Sequence, residues 1–267
     1  KATELSVFSE VAALERTYTL PQPTIYGAAD LIFLDLPMIH GAEVPHQPHI
    51  ALYSDPWPGS ISLLRSASGE NFTLDQMLTS LSVVGRVDTV LSPGPESRWD
   101  RANRITVTLS SGVLESVTQL SLLEGHNRCA IGSTDTGWEV LQFRDAELIG
   151  TNQFDLSMLL RGQFGSEQEM YDGHPIGSRF VLLDGPMAQA GVALSERELE
   201  LNWLYGPTNK ATSDDTYLTQ KVTSHAVGLK PLSPVHVRGH RLENNDVRIS
   251  WIRRSRVDAD SWTSLTV

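Results

Sequence analysis

Three histidines, His40, His46 and His49, fall within ten residues, and clustered imidazoles are the first place to look for a divalent metal. Their spacing is not helical, Pro45 and Pro48 interrupt the segment, and no carboxylate stands at a familiar ligand interval. The segment therefore reads as a solvated proline loop. His236 and His240 are four apart, but Val235 and Val237 alternate around the first as in a strand, where that interval does not make one ligand-bearing face. Two acidic pairs, Asp214 with Asp215 and Asp258 with Asp260, have the chemistry of a glycosidase acid and base. Such groups face each other across a cleft from different strands, so sequence neighbours read as solvated turns. Gly162 and Gly165 in LLRGQFGSE suggest a tight turn after an apolar strand; the alternative, backbone amides offered to a ligand, has nothing nearby to complete it. Arg253, Arg254 and Arg256 form a small basic cluster, readable as a docking patch for an acidic partner surface or as an exposed strand end. No Gly-x-Ser-x-Gly elbow, phosphate-binding glycine loop or His-Glu-x-x-His helix is present. The sequence thus assigns no catalytic residue, no cofactor-binding residue and no metal ligand, and implies no cofactor.

The elements that would carry these residues are mainly strands. Ile105, Val107 and Leu109 alternate with Thr106, Thr108 and Ser110, and Ser111-Gly112 offers a turn into Val113, Leu114 and Val117. Leu199, Leu201, Trp203 and Tyr205 alternate before Gly206-Pro207. Val247, Ile249 and Trp251 alternate after Asn244-Asn245-Asp246, residues that tolerate left-handed backbone. Helical periodicity is confined to Thr3–Tyr18 and a short turn or two over Leu74–Leu81. No βαβ rhythm appears, so the expected class is mainly β, antiparallel sandwich or barrel domains with few short helices. Breaks at Ser92-Pro93-Gly94-Pro95 and Lys230-Pro231-Leu232-Ser233-Pro234 divide the chain into 1–94, 95–230 and 231–267. A further polar, turn-rich stretch runs from Pro207 to Asp215.

With 267 residues, 40% of them apolar, the chain can bury a substantial core. Its formal charge of −11 argues against general affinity for nucleic-acid phosphate or anionic lipid. The apolar run Leu31–Ile39 is broken by Asp35 and Pro37, far short of a membrane-spanning helix. Lys1 and the acidic residues that follow it do not read as a signal sequence, and an internal segment of a longer polypeptide is expected. The single cysteine, Cys129, can form neither an internal disulfide nor a cysteine zinc site, which is compatible with assembly in a reducing cytoplasm.

Taken in order, LDLPMIHG (Leu34–Gly41), PWPGSISLLRSASG (Pro56–Gly69), WDRANRITVTLSSGVLES (Trp99–Ser116), LLRGQFGSE (Leu159–Glu167), HPIGSRFVLLD (His174–Asp184) and PLSPVHVRGHRLENNDVRISWIRRSRVDADSW (Pro231–Trp262) resemble the tail-hub or host-specificity protein of tailed phages, nearest to the form carried by gene transfer agents. The resemblance implies a virion structural protein at the distal tail tip: a homotrimeric baseplate hub that contacts the distal tail protein and other tail-tip proteins, engages a host cell-surface receptor and takes part in tail assembly and DNA delivery. It also implies a glycoside-hydrolase-like barrel before this segment, none of whose strand-helix units is found here. The last block reads as the start of a fibronectin-type-III-like sandwich with Trp251 buried between its sheets. The competing class is a carbohydrate- or receptor-binding β module built on an aromatic platform. Trp57, Trp99, Trp138, Trp203, Trp251 and Trp262 are scattered along the chain, and the core-like alternation of Trp203 and Trp251 favours the scaffold.

Overall fold

The computed structural model describes residues 25–185 and 187–254. The helix expected over Thr3–Tyr18, and Arg256, Asp258, Asp260 and Trp262, lie outside the described residues. The chain first makes β1 (Asp30–Leu34), β2 (His49–Tyr53), β3 (Ile61–Ser66) and β4 (Thr73–Leu78). It continues with β5 (Val84–Val87), β6 (Trp99–Asp100), β7 (Ile105–Leu109), the five-residue helix α1 (Gln119–Leu123), β8 (Arg128–Ser133), β9 (Gly137–Gly150), β10 (Gln153–Leu160), the five-residue helix α2 (Glu167–Tyr171) and β11 (Arg179–Leu182). It then returns through β12 (Ala188–Gln189), β13 (Glu200–Pro207) and β14 (Leu218–Thr223), and ends in a hairpin of β15 (Val235–Arg241) and β16 (Val247–Ile252).

The strand pairings of the described residues are antiparallel, and the mainly β architecture read from the alternation is what the structure contains. Strands β5, β7, β10, β9, β8 and β11 pair in a ring, because β10 bonds both β7 and β9 and β11 joins β5 to β8. This closed six-strand barrel leaves none of those six strands as a free edge. It is inserted between β4 and β12 of a second unit, in which the sheet β1-β2-β12 faces the sheet β14-β13-β3-β4.

Side-chain parity decides the layering. All six ring strands send residues to one cluster that fills the barrel, among them Val87, Val107, Ile131, Phe143, Leu156 and Phe180. The intervening residues Ala130, Val140 and Val181 point the other way and meet Ile32, Leu34 and Ala51 of the middle sheet. The other face of that sheet, Leu31, Phe33, Ile50 and Leu52, packs on Ile61, Leu63, Leu201 and Trp203. Phe33 and Trp203 meet with ring centroids 5.0 Å apart. The middle sheet is therefore apolar on both faces, which is why Leu31–Leu34 reads as a continuous greasy run. Arg179 of β11 also reaches Asp30 of β1 through two hydrogen bonds, 2.6 and 2.5 Å, fastening barrel to sheet.

Several expectations need correction. Leu74–Leu81 is not helical: Thr73–Leu78 is the edge strand β4, with Leu74 and Met77 exposed and Leu78 buried, so pairing with β3 overrides the local helical spacing. After the Ser111-Gly112 turn, the segment from Val113 to Thr118 forms no strand; Leu114 drops into the barrel core while Val113 stays exposed. The break at 94/95 falls between β5 and β7, which pair with each other inside the barrel. Hairpin β15–β16 forms around Asn245 at φ 70°, as its turn residues predict, but Val247, Ile249 and Trp251 are exposed, Trp251 by 59%. A two-stranded ribbon has no second layer to cover its apolar side.

Trp203 and Trp251 thus have opposite environments. Trp203→Ala is expected to cost about 3–5 kcal/mol, the range for emptying a large aromatic core site. Trp251→Ala is expected to cost no more than about 0.5 kcal/mol, as a surface substitution does. Urea denaturation of both variants checks this, and a Trp251→Ala loss as large as that of Trp203→Ala would contradict the exposed placement.

Candidate functional site

The highest concentration of buried charge lies where LLRGQFG leaves β10. Arg161 and Glu139 have no exposed side-chain surface, Asp100 has 1% and His174 4%. Glu139 is supplied by β9, Asp100 by β6, and His174 by the segment after α2, whose backbone exchanges two hydrogen bonds with Leu91. Arg161 donates Nε to Glu139 Oε1 at 2.7 Å and Nη2 to Glu139 Oε2 at 2.9 Å, a bidentate pair. Its Nη1 donates to the Ser92 carbonyl at 2.9 Å and to Asp100 Oδ2 at 3.2 Å.

The carboxylates are saturated. Glu139 Oε1 also accepts from the Gly162 amide at 3.0 Å, and Oε2 stands 2.9 Å from His174 Nε2. Asp100 Oδ1 accepts the amides of Ala102 and Asn103, and Oδ2 accepts the Asn103 side chain. Burial pushes both carboxyls up, but it is outweighed: for Glu139 by the hydrogen bonds from His174 and Arg161 and by the Arg161 charge, for Asp100 by Asn103 and Ala102 and then by Arg161. Both titrate below their ordinary values. With each lone pair of Glu139 engaged, the cluster has no free acceptor for a substrate; its chemistry is that of a clamp joining five chain segments.

Local backbone serves the clamp. Gly162 adopts φ 55°, which turns the chain so that its own amide meets Glu139. Gly94, in the Pro-Gly-Pro break, lies so close that a Cβ there would come within 2.6 Å of Asp100 Oδ2 and 2.9 Å of Arg161 Nη1. Of the two readings of LLRGQFGSE, the turn is the one observed, and the Gly162 amide is spent internally.

The other candidates separate. His49 is not in a solvated loop: it opens β2 opposite Leu34 and is 5% exposed. His40 is half-exposed and contacts Glu43 at 3.0 Å, and His46 lies apart, its carbonyl accepting from Ser224. Among the described residues no three His, Cys, Asp or Glu side chains converge as metal ligands. His236 and His240 are exposed on β15. Asp214 caps its own turn through the Thr216 amide and hydroxyl, while Asp215 is exposed. Arg254 donates to Glu167 of α2 at 2.8 Å and to the Ser233 carbonyl, and Arg253 is exposed. Trp138 and Trp203 are buried and Trp57 and Trp99 half-buried, so these four do not form one exposed aromatic platform.

Glu139, Asp100, Arg161 and His174 were not singled out by spacing, because they come from four distant segments. The usable signal was Glu139 among the apolar residues Trp138, Val140 and Leu141, a charge that must find a partner.

In class, then, the chain is a closed antiparallel barrel carried on a two-sheet unit and locked by buried charge. A family model described as Rcc01698-like, C-terminal, a family name associated with gene transfer agent proteins, matches residues 82–181. The match runs from just before β5 to all but the last residue of β11, so it is coextensive with the barrel. No curated protein matches the chain. No helix among the described residues is long and apolar enough to cross a membrane.

Arg161→Met leaves Glu139 and Asp100 buried without their cation, and should destabilise the fold by about 3–5 kcal/mol in urea titrations at neutral pH. Because both carboxyls titrate lower in the folded protein than in the unfolded chain, the clamp contributes fully above about pH 4.5 and is lost as pH falls below that through the folded values. Midpoints measured from pH 7 to 3 should therefore fall at the acid end more steeply in the parent than in Glu139→Gln; equal slopes would refute the clamp.

Proposed function

We propose that this chain is a segment of a structural tail-tip protein, the baseplate hub of a phage or gene transfer agent. In this reading it holds the tail tip together, and in the assembled virion it meets the distal tail protein and other tail-tip proteins and passes on engagement of a host cell-surface receptor. The observation that carries the reading is the coincidence of the family match with the barrel. The buried cluster supports it: three of the segments that resemble the hub proteins each supply members, Asp100 from Trp99–Ser116, Arg161 and Gly162 from Leu159–Glu167, and His174 from His174–Asp184. Asp35 of the Leu34–Gly41 segment likewise accepts the amides of His225 and Val227, tying the end of β1 to the segment after β14.

A scaffold role is also what the chemistry of the buried cluster favours, since Arg161, Glu139 and Asp100 are consumed in internal pairs. Edge strands β4 and β14 of the outer sheet, and β1 and β12 of the middle sheet, carry unpaired backbone groups that neighbouring subunits of a ring can cover. One observation favours a second reading, a receptor- or carbohydrate-binding module: the exposed row Val247, Ile249 and Trp251 on β16.

Native mass measurement of the complete hub is expected to give a trimer, and a stable dimer or hexamer would overturn the hub assignment. Purified segment is expected to leave peptidoglycan and capsule uncleaved. Turnover above a heat-inactivated control, abolished by one carboxylate substitution, would instead make it a hydrolase. Loss of glycan or receptor binding in Trp251→Ala at unchanged stability would select the second reading.

A further inference from the structure

The outer sheet β14-β13-β3-β4 has a second face, turned away from the middle sheet. Ile61, Leu63, Leu201, Trp203 and Tyr205 point inward, so Leu64 and Leu204 point outward. Register sets these two side by side, with Leu74 of β4 next to Leu64 and Met77 next to Ser62. Leu74 is 55% exposed and Met77 54%, while Leu64 and Leu204 are half-buried. Tyr217 extends the row: its ring lies over Gly206, where a Cβ would come within 2.5 Å of it. The other outward positions carry Ser62, Ser66, Asn202 and Thr219, and the charges there, Lys221 and Glu200, pair with each other at 2.7 Å.

A sheet with apolar side chains on both faces is stable with a layer on each, and the exposure of Leu74 and Met77 shows that no described residue supplies the outer one. The described chain begins at one end of this row. The Tyr26 hydroxyl accepts from Asn209 Nδ2 at 2.7 Å, two residues past Pro207, the last residue of β13. The Tyr217 hydroxyl donates to the Pro207 carbonyl at 3.2 Å, so Tyr26 and Tyr217 flank the same strand end. Ile25, before Tyr26, is 83% exposed. In the 24 residues that precede it, Leu5, Phe8, Val11 and Ala12 recur at intervals of three and four, set among Glu4, Glu10, Glu15 and Arg16. Reach is sufficient: six extended residues, 19–24, span up to about 20 Å, and the four strands of the sheet span about 14 Å. The segment after Arg254 starts elsewhere, at α2, where Arg254 bonds Glu167.

We propose that the outer face of this sheet is an intramolecular docking surface for the chain's own residues 3–18, whose apolar side chains cover Leu64, Leu74, Met77 and Leu204. The tether decides between occupants: it holds the segment at an effective concentration on the order of millimolar, which a second copy or a separate protein lacks. The chemistry matches as well. The face offers aliphatic and thioether side chains framed by uncharged hydroxyl and amide groups, which accept Leu5 and Phe8 and leave Glu4, Glu10 and Glu15 to solvent. The docked segment would be the fourth layer of the molecule, after the barrel, the middle sheet and the outer sheet.

Disulfide trapping in the 267-residue chain tests this, with the buried Cys129 as a silent background. Phe8→Cys is paired with Leu74→Cys, with Met77→Cys, and with Ile176→Cys, an exposed control position 64% accessible on the barrel side. Under mild oxidation the Leu74 or the Met77 pair should close within one chain about tenfold or more faster than the control, the advantage of a tethered contact over a random encounter. In a second measurement, Phe8→Glu should shift the methyl NMR signals of Met77, Leu64 and Leu204 while leaving that of Leu156 in the barrel core unchanged. Leu74, Met77 and Ile176 are exposed, so these substitutions spare the core. Links between two chains through Leu74→Cys or Met77→Cys would assign the face to a second copy and overturn the proposal. So would closure of both pairs no faster than the control, or a Met77 methyl signal indifferent to Phe8→Glu, which would leave the face to a separate partner. The outcome is independent of the tail-tip reading.

Discussion

Arg161 holds a permanent positive charge with no exposed side-chain surface, and much of the barrel is arranged around keeping it there. An unpaired guanidinium in a low-dielectric interior is prohibitively costly, so acceptors must be brought to it from wherever the chain can supply them. Glu139 takes two of its N–H groups from β9, Asp100 and the Ser92 carbonyl share another nitrogen, and His174 and the Gly162 amide complete Glu139. These contacts fix the end of β10, the short strand β6, the Pro-Gly-Pro segment and the return after α2 relative to β9. Such a cluster is not by itself a source of net stability, since apolar side chains of equal volume can stabilise as well. Removing one member, however, strands the others.

The second constraint is the double burial of β1 and β2. One parity of their side chains faces the outer sheet and the other faces the barrel, so a one-residue slip would exchange two different apolar surfaces. Register is pinned from outside the sheet, by Arg179 holding Asp30 at one end of β1 and by Asp35 capping the amides of His225 and Val227 at the other. Barrel and sheets consequently share a cluster of their own that joins Ile32, Leu34 and Ala51 to Val84, Val140 and Val181. In the proposed hub role, the open edges of the sheets to which the barrel is fastened would be covered by neighbouring subunits.

The mainly β class was legible because alternation survives wherever a strand has one solvated face, as in Ile105–Leu109 and in Leu201, Trp203 and Tyr205. It was misleading where tertiary context decided. Leu74–Leu81 has helical spacing but its first five residues lie on an edge strand, and Val247–Trp251 alternates as a core strand does yet is exposed in a ribbon that no second layer among the described residues covers. Barrel closure was invisible, since nothing local in β10 announces that it pairs on both sides. The charge cluster was partly legible: its glycine turn was read from LLRGQFGSE, whereas its carboxylates come from positions 100 and 139, distances over which spacing carries no geometry. His49 was misplaced because its flanking prolines suggested a loop, although Pro48 ends that loop and β2 begins with the histidine.

The central functional claim is location, and imaging tests it most directly. Intact particles bound by an antibody raised against residues 25–254, viewed by electron microscopy with threefold averaging about the tail axis, should carry the label at the distal end of the tail in three equivalent positions. Label on the capsid or along the tube, or intact particles that bind none while free protein binds all of it, would contradict the account.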